Sequence, residues 1–433
     1  MKTDPRLVYV LGLALLQACS FDSGGVDPDD GSVVPDANMV DVGPNDPDAA
    51  TSADAMPDAP PPPDAGPDPI TEDVVHVGAG DETAGHAELV LSGMVTIDTT
   101  DLTFDGTAPP AHFDSAPQDG EPTSELAILH VKTLTILAAA EVRVIGSRPL
   151  VVIASGDIII AGVIDAGARS ETPGAGGAGP GEGDGAGGDG VHVTGTLRDS
   201  GGGGAGHNTA GGVGGSATCN GTCTSGPAAG GAAGASVGDP AQTLLRGGSG
   251  GGKAVDCVSD PAGAGGGAVQ LYSGTSITIA LTGVINVGGG GGGGGRLCVT
   301  NRGAGAGGGS GGAIFLQAPS ITHAGNLAAN GGGGGGGAGE DALDVSTAGN
   351  PGADGALGTT RAAGGAALDE FGAGGGRGAA GASAPEPGGS DGSSFGNGGG
   401  GGGAVGRIKV ITHTAGYTGT SSINSPAAVT DTY

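Results

Sequence analysis

The stretch Gly267–Gly295, with the sequence GAVQLYSGTSITIALTGVINVGGGGGGGG, holds the pattern that decides the fold. Its first part contains three short runs of apolar and β-branched residues, and turn-forming residues separate the runs. Such runs are typical of β-strands, because their spacing has no helical period. The second part is glycine alone. The fold therefore depends on how strand-forming units and glycine runs are combined.

Units of the same kind recur along the chain. Gly312–Leu327 is followed by the glycine run Gly331–Gly337, and the same outline fits Gly403–His413 and the earlier segment Pro149–Gly167. A single strand-turn-strand unit cannot bury its apolar edge alone, whereas stacked copies can. The recurrence therefore predicts an ordered domain built from stacked units.

These repeats resemble those of bacterial parallel β-helix surface proteins, across about residues 80–425 and in pattern only. The resemblance implies an all-β fold, namely an elongated β-solenoid or parallel β-helix-like domain over residues 74–433. Residues 74–168 are expected to be rich in strands, and residues 169–433 to hold the glycine-rich repeats.

The glycine runs, such as Gly288–Gly295, are expected to be insertions in this solenoid, and two interpretations of them stay open. As flexible loops they need no partners. As packed polyglycine II helices, backbones without side chains lie next to one another, joined by N–H to C=O and weak Cα–H to O contacts. The second interpretation resembles the glycine-rich domains of certain extracellular cytokine-receptor and antifreeze proteins. The composition is similar to that of mycobacterial PGRS proteins.

The overall composition limits what the protein does. Gly 102 and Pro 27 in 433 residues are typical of low-complexity sequence, but the recurring strand units outweigh that indication. Lys+Arg 15 against Asp+Glu 45 gives a formal net charge of -30, which repels the phosphates of nucleic acids. We therefore expect no nucleic-acid partner.

The N-terminus has the features of a bacterial export signal. Lys2 and Arg6 precede the uncharged run Leu7–Leu16, which has the length of a signal-peptide core. The run ends in Leu16-Gln17-Ala18-Cys19, which resembles the lipobox of bacterial lipoproteins, although Gln17 replaces the usual small residue. An ordinary secretory signal with a fortuitous cysteine and a short buried helix are the alternatives.

The lipobox resemblance implies that residues 1–18 are a signal peptide and that Cys19 is acylated, with palmitate among its acyl chains. Several chains on one cysteine anchor a protein stably in a membrane. Ser20 follows the cysteine, which by the sorting rule of enteric lipoproteins indicates the outer membrane. The expected location is lipid-anchored to the outer membrane, outside the cytoplasm or on the cell surface.

Residues 19–73 form an Asp/Pro/Ala-rich segment with no Lys or Arg, for example in Asp58–Asp64. Proline prevents regular helix and sheet hydrogen bonding, and like charges repel along the chain. The segment is therefore predicted to be a disordered tether between the lipidated cysteine and the domain.

Four further cysteines, Cys219, Cys223, Cys257 and Cys298, are disulfide candidates, because an even number in an exported chain indicates two disulfides. Three connectivities are open. The favoured one joins Cys219 to Cys223 and Cys257 to Cys298. A four-cysteine zinc site is the rival, although the spacing of the cysteines suits zinc poorly.

The segment Gly336–Asp344 fits the calcium-binding nonapeptide GGxGxDxUx, which makes Asp341 and Asp344 weak calcium candidates. Such sites need stacked tandem copies, and the chain has one. His323 and His413 follow Ile-Thr in two of the repeat units, but outward-facing strand positions carry such residues routinely. We predict no other metal site and no cofactor.

The sequence predicts a structural or adhesive role without catalysis, because an anchor, a tether and a repetitive domain are present and no nucleophilic or acid-base constellation stands out. The expected partners are the membrane, through the lipid anchor, and extracellular polysaccharide or other cell-surface components. One alternative is a β-helix carbohydrate-active enzyme, a polysaccharide lyase or hydrolase, with the candidates Asp157, Asp165, Arg143 and Arg148. The other is a calcium-binding surface module.

Overall fold

The structure is a computed structural model of the chain. It describes residues 73–192, 198–217, 228–255, 261–297, 302–340, 346–368, 372–390, 396–419 and 424–433. All of these residues belong to the compact unit Pro63–Tyr433. Within them, no helix is long and apolar enough to cross a membrane.

The regular secondary structure of the described residues consists of β-strands. In chain order the strands are β1 (Glu88–Leu91), β2 (Met94–Asp98), β3 (Thr103–Phe104), β4 (His112–Gln118), β5 (Glu121–Val131), β6 (Thr133–Ile136), β7 (Glu141–Ile145), β8 (Leu150–Ala154), β9 (Ile158–Ile160), β10 (Val163–Asp165), β11 (Ala268–Ser273), β12 (Ser276–Ile279), β13 (Val284–Asn286), β14 (Ala313–Gln317), β15 (Ser320–His323), β16 (Asn326–Ala328), β17 (Gly339–Glu340), β18 (Ser346–Thr347), β19 (Arg407–Thr412), β20 (Tyr417–Gly419), β21 (Asn424–Ser425) and β22 (Val429–Thr432).

The strands of the described residues form three sheets and one short antiparallel pair, β17 and β18. Sheet 1 has the order β1-β6-β9-β12-β15-β20, sheet 2 the order β3-β2-β7-β10-β13-β16-β21, and sheet 3 the order β4-β5-β8-β11-β14-β19-β22. From β5 to β16, consecutive strands lie in different sheets, and the chain returns to each sheet three strands later. Most neighbours pair in parallel, whereas β3 and β4 are antiparallel to their partners.

The repeat units of the sequence lie next to one another in register. Ile277 in β12 is opposite Ile158 of β9 on one side and Ile321 of β15 on the other. The last predicted unit is displaced, because Ala313 pairs with Arg407 rather than with Ala404. That unit therefore starts three residues later than the sequence pattern indicates.

The burial of the strands explains their sequences. β8, β11 and β14 of sheet 3 are buried along their whole length, and their sequences are nearly continuous apolar runs. One face of these strands contributes to the main apolar core between the sheets. The other face belongs to a second apolar cluster, together with Val74, Val77 and Leu245. β12 of sheet 1 alternates, because only one of its faces reaches the core.

The glycine-rich segments form a body of their own, here named the glycine bundle. Its segments lie side by side, without side chains between their backbones, and backbone hydrogen bonds join them. They span residues 183–190, 200–207, 211–217, 228–237, 247–254, 261–267, 287–296, 303–312, 329–338, 348–356, 361–367, 373–380, 384–389 and 397–406.

The hydrogen bonds of the glycine bundle have a period of three residues. Within segment 303–312, successive N–H groups donate to three different neighbouring segments, and donors three residues apart use the same neighbour. Gly305, Gly308 and Gly311 donate to Gly398, Gly401 and Ala404, whereas Ala306, Gly309 and Gly312 donate to Gly293, Gly290 and Val287. Three residues per turn is the period of the polyproline II conformation.

The close approach of these backbones requires glycine at particular positions. A Cβ atom built on Gly307 would overlap the carbonyl oxygen of Gly203, and one built on Gly400 would overlap that of Ala306. Both neighbours are backbone atoms that hydrogen bonds hold in place. At such positions the missing side chain is a packing requirement.

The structure corrects the predicted fold. The all-β class agrees with the observed strands, but the elongated β-solenoid or parallel β-helix-like domain is wrong, because the strands form three sheets of parallel and antiparallel pairs. The glycine runs are also not flexible insertions: Gly331–Gly337 is buried, and its N–H groups donate to neighbouring segments. The sequence pattern showed the strands but not the partners of the glycine segments, many of which lie far away along the chain, as in the hydrogen bond from Gly308 to Gly401.

Candidate functional site

A cavity of about 760 Å³ lies where the glycine bundle meets sheet 3. Thr123–Glu125 of β5, Arg148 in the loop before β8, and Arg407 at the start of β19 line it from the sheet side. The other side consists of bundle residues, including His207 and Gly247–Ser249, and of the stretch Gln242–Arg246 that leads into the bundle segment 247–254. Its volume is within the range of ordinary ligand sites.

Arg407 places a buried guanidinium group in the wall of the cavity, with the residue only 9% exposed. Its Nη1 donates to the carbonyls of Val237 at 2.8 Å and Asp239 at 3.1 Å, and its Nε donates to Asn208 Oδ1 at 3.3 Å. No carboxylate of the described residues forms a salt bridge with it. Burial lowers the pKa of Arg407, and the nearby Asp239 opposes that shift. The group stays cationic, because an arginine loses its proton only far above neutral pH.

His207 and Gln242 line the same cavity and are both almost fully buried. His207 Nδ1 and Gln242 Oε1 are buried without a hydrogen-bond partner among the described residues. Burial, with the positive charges of Arg407 and Arg246, lowers the pKa of His207 to about 3. The imidazole is therefore neutral at physiological pH. A buried polar atom without a partner costs about 1–3 kcal/mol, which a bound molecule or water recovers.

Two further arginines at the cavity are paired with carboxylates. Arg148 Nε lies 2.7 Å from Glu125 Oε2, and Arg246 Nη1 lies 2.7 Å from Asp184 Oδ2. Glu125 and Asp184 are half or more exposed, so these pairs lie on the solvent side. Arg407 therefore differs from the other two arginines in being both buried and free of a carboxylate partner.

The lining determines what the cavity is able to bind. Its described residues are mainly glycine, serine, threonine and charged residues, and no Phe or Tyr is among them. A guanidinium without a carboxylate partner binds an anion such as a carboxylate, often through two hydrogen bonds. Hydroxyl and amide groups around it match the hydroxyls of a polar ligand. The arrangement suits a ligand that carries both carboxylate and hydroxyl groups.

The residues proposed for a carbohydrate-active enzyme do not meet at one site. Arg148 lines the cavity, whereas Arg143 and Asp165 lie on neighbouring strands of sheet 2 and form a salt bridge of 2.7 Å. The pKa of Asp165 is lowered, because Arg143, Arg169 and the Asn286 amide outweigh the effect of burial.

Asp157, the remaining enzyme candidate, precedes β9 of sheet 1. Its Oδ1 accepts hydrogen bonds from the hydroxyls of Thr275 at 2.6 Å and Ser276 at 2.7 Å. These two hydrogen bonds lower the pKa of Asp157. The carboxylate thus links two neighbouring turns, and it lies beside sheet 1, whereas Asp165 lies in sheet 2.

The two histidines taken as equivalent in sequence are not equivalent in the structure. His323 lies within β15 and pairs with Gly419 of β20. Its ring is buried, and its Nδ1 lies 3.3 Å from the Tyr417 hydroxyl. His413 follows the end of β19, and its ring contacts that of Tyr433. A site shared by corresponding positions is therefore excluded.

The other predicted site residues lie outside the described residues: the lipidation candidate Cys19, the disulfide candidates Cys219, Cys223, Cys257 and Cys298, and the calcium candidates Asp341 and Asp344. Of the predicted tether, only Asp73 is described.

Sequence reasoning missed the main residues of the cavity. Arg407, His207 and Gln242 come from three separate parts of the chain, and no motif connects them. One signal was available: Arg407 interrupts a glycine and apolar run in a chain that has few basic residues.

Comparison of the chain with protein-family models, with curated proteins and with solved structures gives no match in any of the three. The function must therefore be argued from the geometry and chemistry of the chain itself.

Proposed function

We propose that the chain is a cell-surface lipoprotein with a structural or adhesive role, and that its cavity binds an acidic polysaccharide. The observation that carries the proposal is the buried guanidinium of Arg407, which no carboxylate of the described residues neutralises. Burying an unpaired charge is costly, so a protein that keeps one in a cavity wall gains when an anion binds there.

The negative charge of the whole chain disfavours binding of an extended anionic ligand at most of the surface, but not at this cavity. The formal net charge is -30, so most of the surface repels a polyanion. The cavity is an exception, because its three arginines balance its three carboxylates, Glu125, Asp184 and Asp239, and leave no excess of negative charge. A polysaccharide with uronic acid units offers the carboxylates for the arginines and the hydroxyls for the serine, threonine and amide groups of the lining.

The glycine bundle supports a structural role. Its segments are held by backbone hydrogen bonds in three directions. Neighbouring backbones are so close that they leave no room for a side chain between them. Such a body is stiff, because any displacement of one segment breaks hydrogen bonds to several others. It gives the cavity a rigid wall, which lowers the entropic cost of binding.

The test of the cavity is calorimetric titration of the purified protein with an oligomer of galacturonic acid, compared with a neutral glucose oligomer. We expect binding of the acidic oligomer only. Removing a charged hydrogen bond costs about 1.5–3 kcal/mol, so Arg407→Gln should weaken binding by about 10- to 100-fold. Arg246→Gln, at the exposed edge, should weaken it less.

Arg169→Gln is the matched control, because Arg169 is an exposed arginine that follows β10 and lies outside the cavity. It should leave the affinity unchanged. Equal binding of the acidic and neutral oligomers, or no binding of either, contradicts the proposal. So does unchanged binding in both Arg407→Gln and Arg246→Gln. If Arg407→Gln does not fold, Arg246→Gln decides the outcome, because its side chain is exposed.

The anchor part of the proposal rests on the lipobox-like segment Leu16–Cys19 and the acidic, proline-rich segment after it. Metabolic labelling with a palmitate analogue tests it. We expect label in the wild-type protein and in the control Cys219→Ala, and none in Cys19→Ala. Equal labelling of wild type and Cys19→Ala would exclude Cys19 as the acylated residue.

A further inference from the structure

A group of two histidines and one aspartate lies on the antiparallel pair β4 and β5, away from the cavity. His112 and His130 are direct register partners, and Asp114 is two residues after His112 on the same strand. Residues two apart on a strand point to the same face, so all three side chains share one face of the pair. One ligand atom from each residue lies within 4.8 Å of the other two.

The distances within this group fit a tetrahedral metal ion. His130 Nε2 is 3.1 Å from Asp114 Oδ1, and His112 Nε2 is 3.6 Å from Asp114 Oδ2. Tetrahedral zinc, with ligand distances of about 2.0–2.2 Å, places its ligand atoms about 3.3 Å apart. The two separations, one to each oxygen of the Asp114 carboxylate, lie on either side of that value. The side chain of His112 is 65% exposed, so it is free to adjust towards the ion.

The hydrogen bonding of His130 orients its ring for this role. His130 is buried, and its Nδ1 contacts the backbone carbonyl of Thr83. A carbonyl oxygen only accepts, so Nδ1 carries the proton and donates to it. The lone pair is then on Nε2, which faces the Asp114 carboxylate. A backbone carbonyl that fixes the tautomer of a histidine is the usual outer partner of a zinc-bound imidazole.

That orientation brings two hydrogen-bond acceptors together. With the proton on Nδ1, His130 Nε2 and Asp114 Oδ1 both present lone pairs to each other at 3.1 Å. The contact is unfavourable unless a positive charge lies between them. We propose that His112, Asp114 and His130 form a zinc-binding site on the face of β4 and β5.

Zinc is the divalent ion that this set of ligands favours. Two imidazoles and one carboxylate are borderline nitrogen and oxygen ligands, whereas calcium and magnesium prefer sites built from oxygen alone. Three protein ligands leave one position of a tetrahedron open. His112 and His130 both line a concavity of about 410 Å³, together with His86, Pro109 and other residues. The site therefore has space for water or a ligand from a partner at the fourth position.

The test is titration of the full chain with zinc, followed by displacement of a chromogenic chelator, in wild type and two variants. His112→Ala removes an exposed ligand without changing the core, and Asp114→Asn keeps the size of the side chain but removes its charge. We expect one zinc ion per chain in wild type at this site, and loss of about 10- to 100-fold or more in affinity in each variant, since even outer partners of zinc ligands have effects of that size.

His86→Ala is the matched control, because His86 is an exposed histidine at the same concavity that is not one of the three ligands. It should bind zinc like wild type. Cobalt, added in place of zinc, should give the absorption of a tetrahedral ion without the charge-transfer bands of cysteine thiolates.

Three outcomes would overturn the assignment. The first is the absence of zinc binding by the wild-type protein. The second is equal zinc affinity in wild type, His112→Ala and Asp114→Asn, which would place any bound zinc elsewhere. The third is a cobalt spectrum with thiolate bands that the two variants do not change.

Discussion

The three sheets and the glycine bundle fill the interior of one domain in different ways. In the sheets, strands such as β14 bury large apolar side chains on both faces. In the glycine bundle, segments such as 303–312 bury little except backbone, and consecutive N–H groups are bonded to three different neighbours. The sheets are stabilised mainly by removing apolar surface from water, and the bundle mainly by hydrogen bonds and close backbone contact.

The difference shows that a composition typical of disorder does not prevent an ordered interior. Fixing a residue costs about 1–2 kcal/mol of conformational entropy, and glycine loses the most backbone freedom. Where a bundle segment leads into a strand, the strand reduces this cost by holding that end of the segment in place. Segment 303–312 leads directly into β14, and segment 261–267 leads directly into β11. The sheets thus help to order the bundle at these junctions, and hydrogen bonds between segments hold the rest.

The largest expected effect is that of adding one methyl group to the bundle. In Gly307→Ala the new Cβ meets the carbonyl oxygen of Gly203, which has no freedom to move aside. We expect a loss of about 3 kcal/mol or more in the free energy of unfolding, at or above the upper end of the range for overpacked interiors. Chemical denaturation followed by circular dichroism measures it.

Two further variants give the stability changes with which Gly307→Ala is compared. Gly358→Ala adds the same methyl at a position with open space around it and should change stability by less than about 0.5 kcal/mol. Ile314→Val removes one methyl from the core of sheet 3 and should cost about 1 kcal/mol. If Gly307→Ala costs no more than Ile314→Val, the bundle is less tightly packed than its contacts indicate.

A smaller effect is expected from acidification, through a histidine at the boundary between the two regions. His207 ends the bundle segment 200–207, and its pKa is lowered to about 3 by burial, Arg407 and Arg246. Between pH 6.5 and about 3, the unfolded chain binds a proton here and the folded chain does not. The free energy of unfolding should therefore fall as the pH falls below 6.5, by about 1.4 kcal/mol per pH unit.

His207→Gln should make the pH dependence shallower by about that amount, because glutamine does not titrate. Some dependence should remain, since burial also lowers the pKa values of His76 and His323 in the sheet region. Carboxylates with lowered pKa values, such as Asp157 and Asp165, affect the free energy of unfolding only below about pH 5, where the unfolded chain begins to bind protons at them, so measurements between about pH 5 and 6.5 isolate the histidines. Equal slopes in wild type and His207→Gln over that interval would show that His207 is accessible to protons.

The strand units could be predicted because their signal is local. Gly267–Asn286 shows three runs of apolar residues, and the structure has β11, β12 and β13 there. The displaced start of the last unit shows that the local pattern does not determine the register of a strand. In Gly403–Ile408 glycine and alanine fit either register, and only the pairing of Arg407 with Ala313 decides between them.

The two candidate sites could not be predicted from the sequence, for a related reason. The spacing of His112 and Asp114 on a strand is a local feature, but His130 becomes a partner only through the register of β4 and β5. Arg407 and His207 are 200 positions apart in the numbering and meet because their segments lead to the same side of sheet 3. Neither the composition of the chain nor the local sequence distinguishes these site residues from other residues of the same type.

The sequence by itself determined that the domain is built from short strands and that its glycine runs recur between them, because apolar periodicity and turn residues act over a few positions. Tertiary structure alone decided how the strands divide into three sheets, which glycine segments become neighbours, and which buried groups line the cavity. The physical reason lies in glycine: a residue without a side chain carries no information about its partner. The partners of a segment are therefore fixed by where the adjoining strands and the neighbouring segments place it, and by which N–H and C=O groups are then within reach.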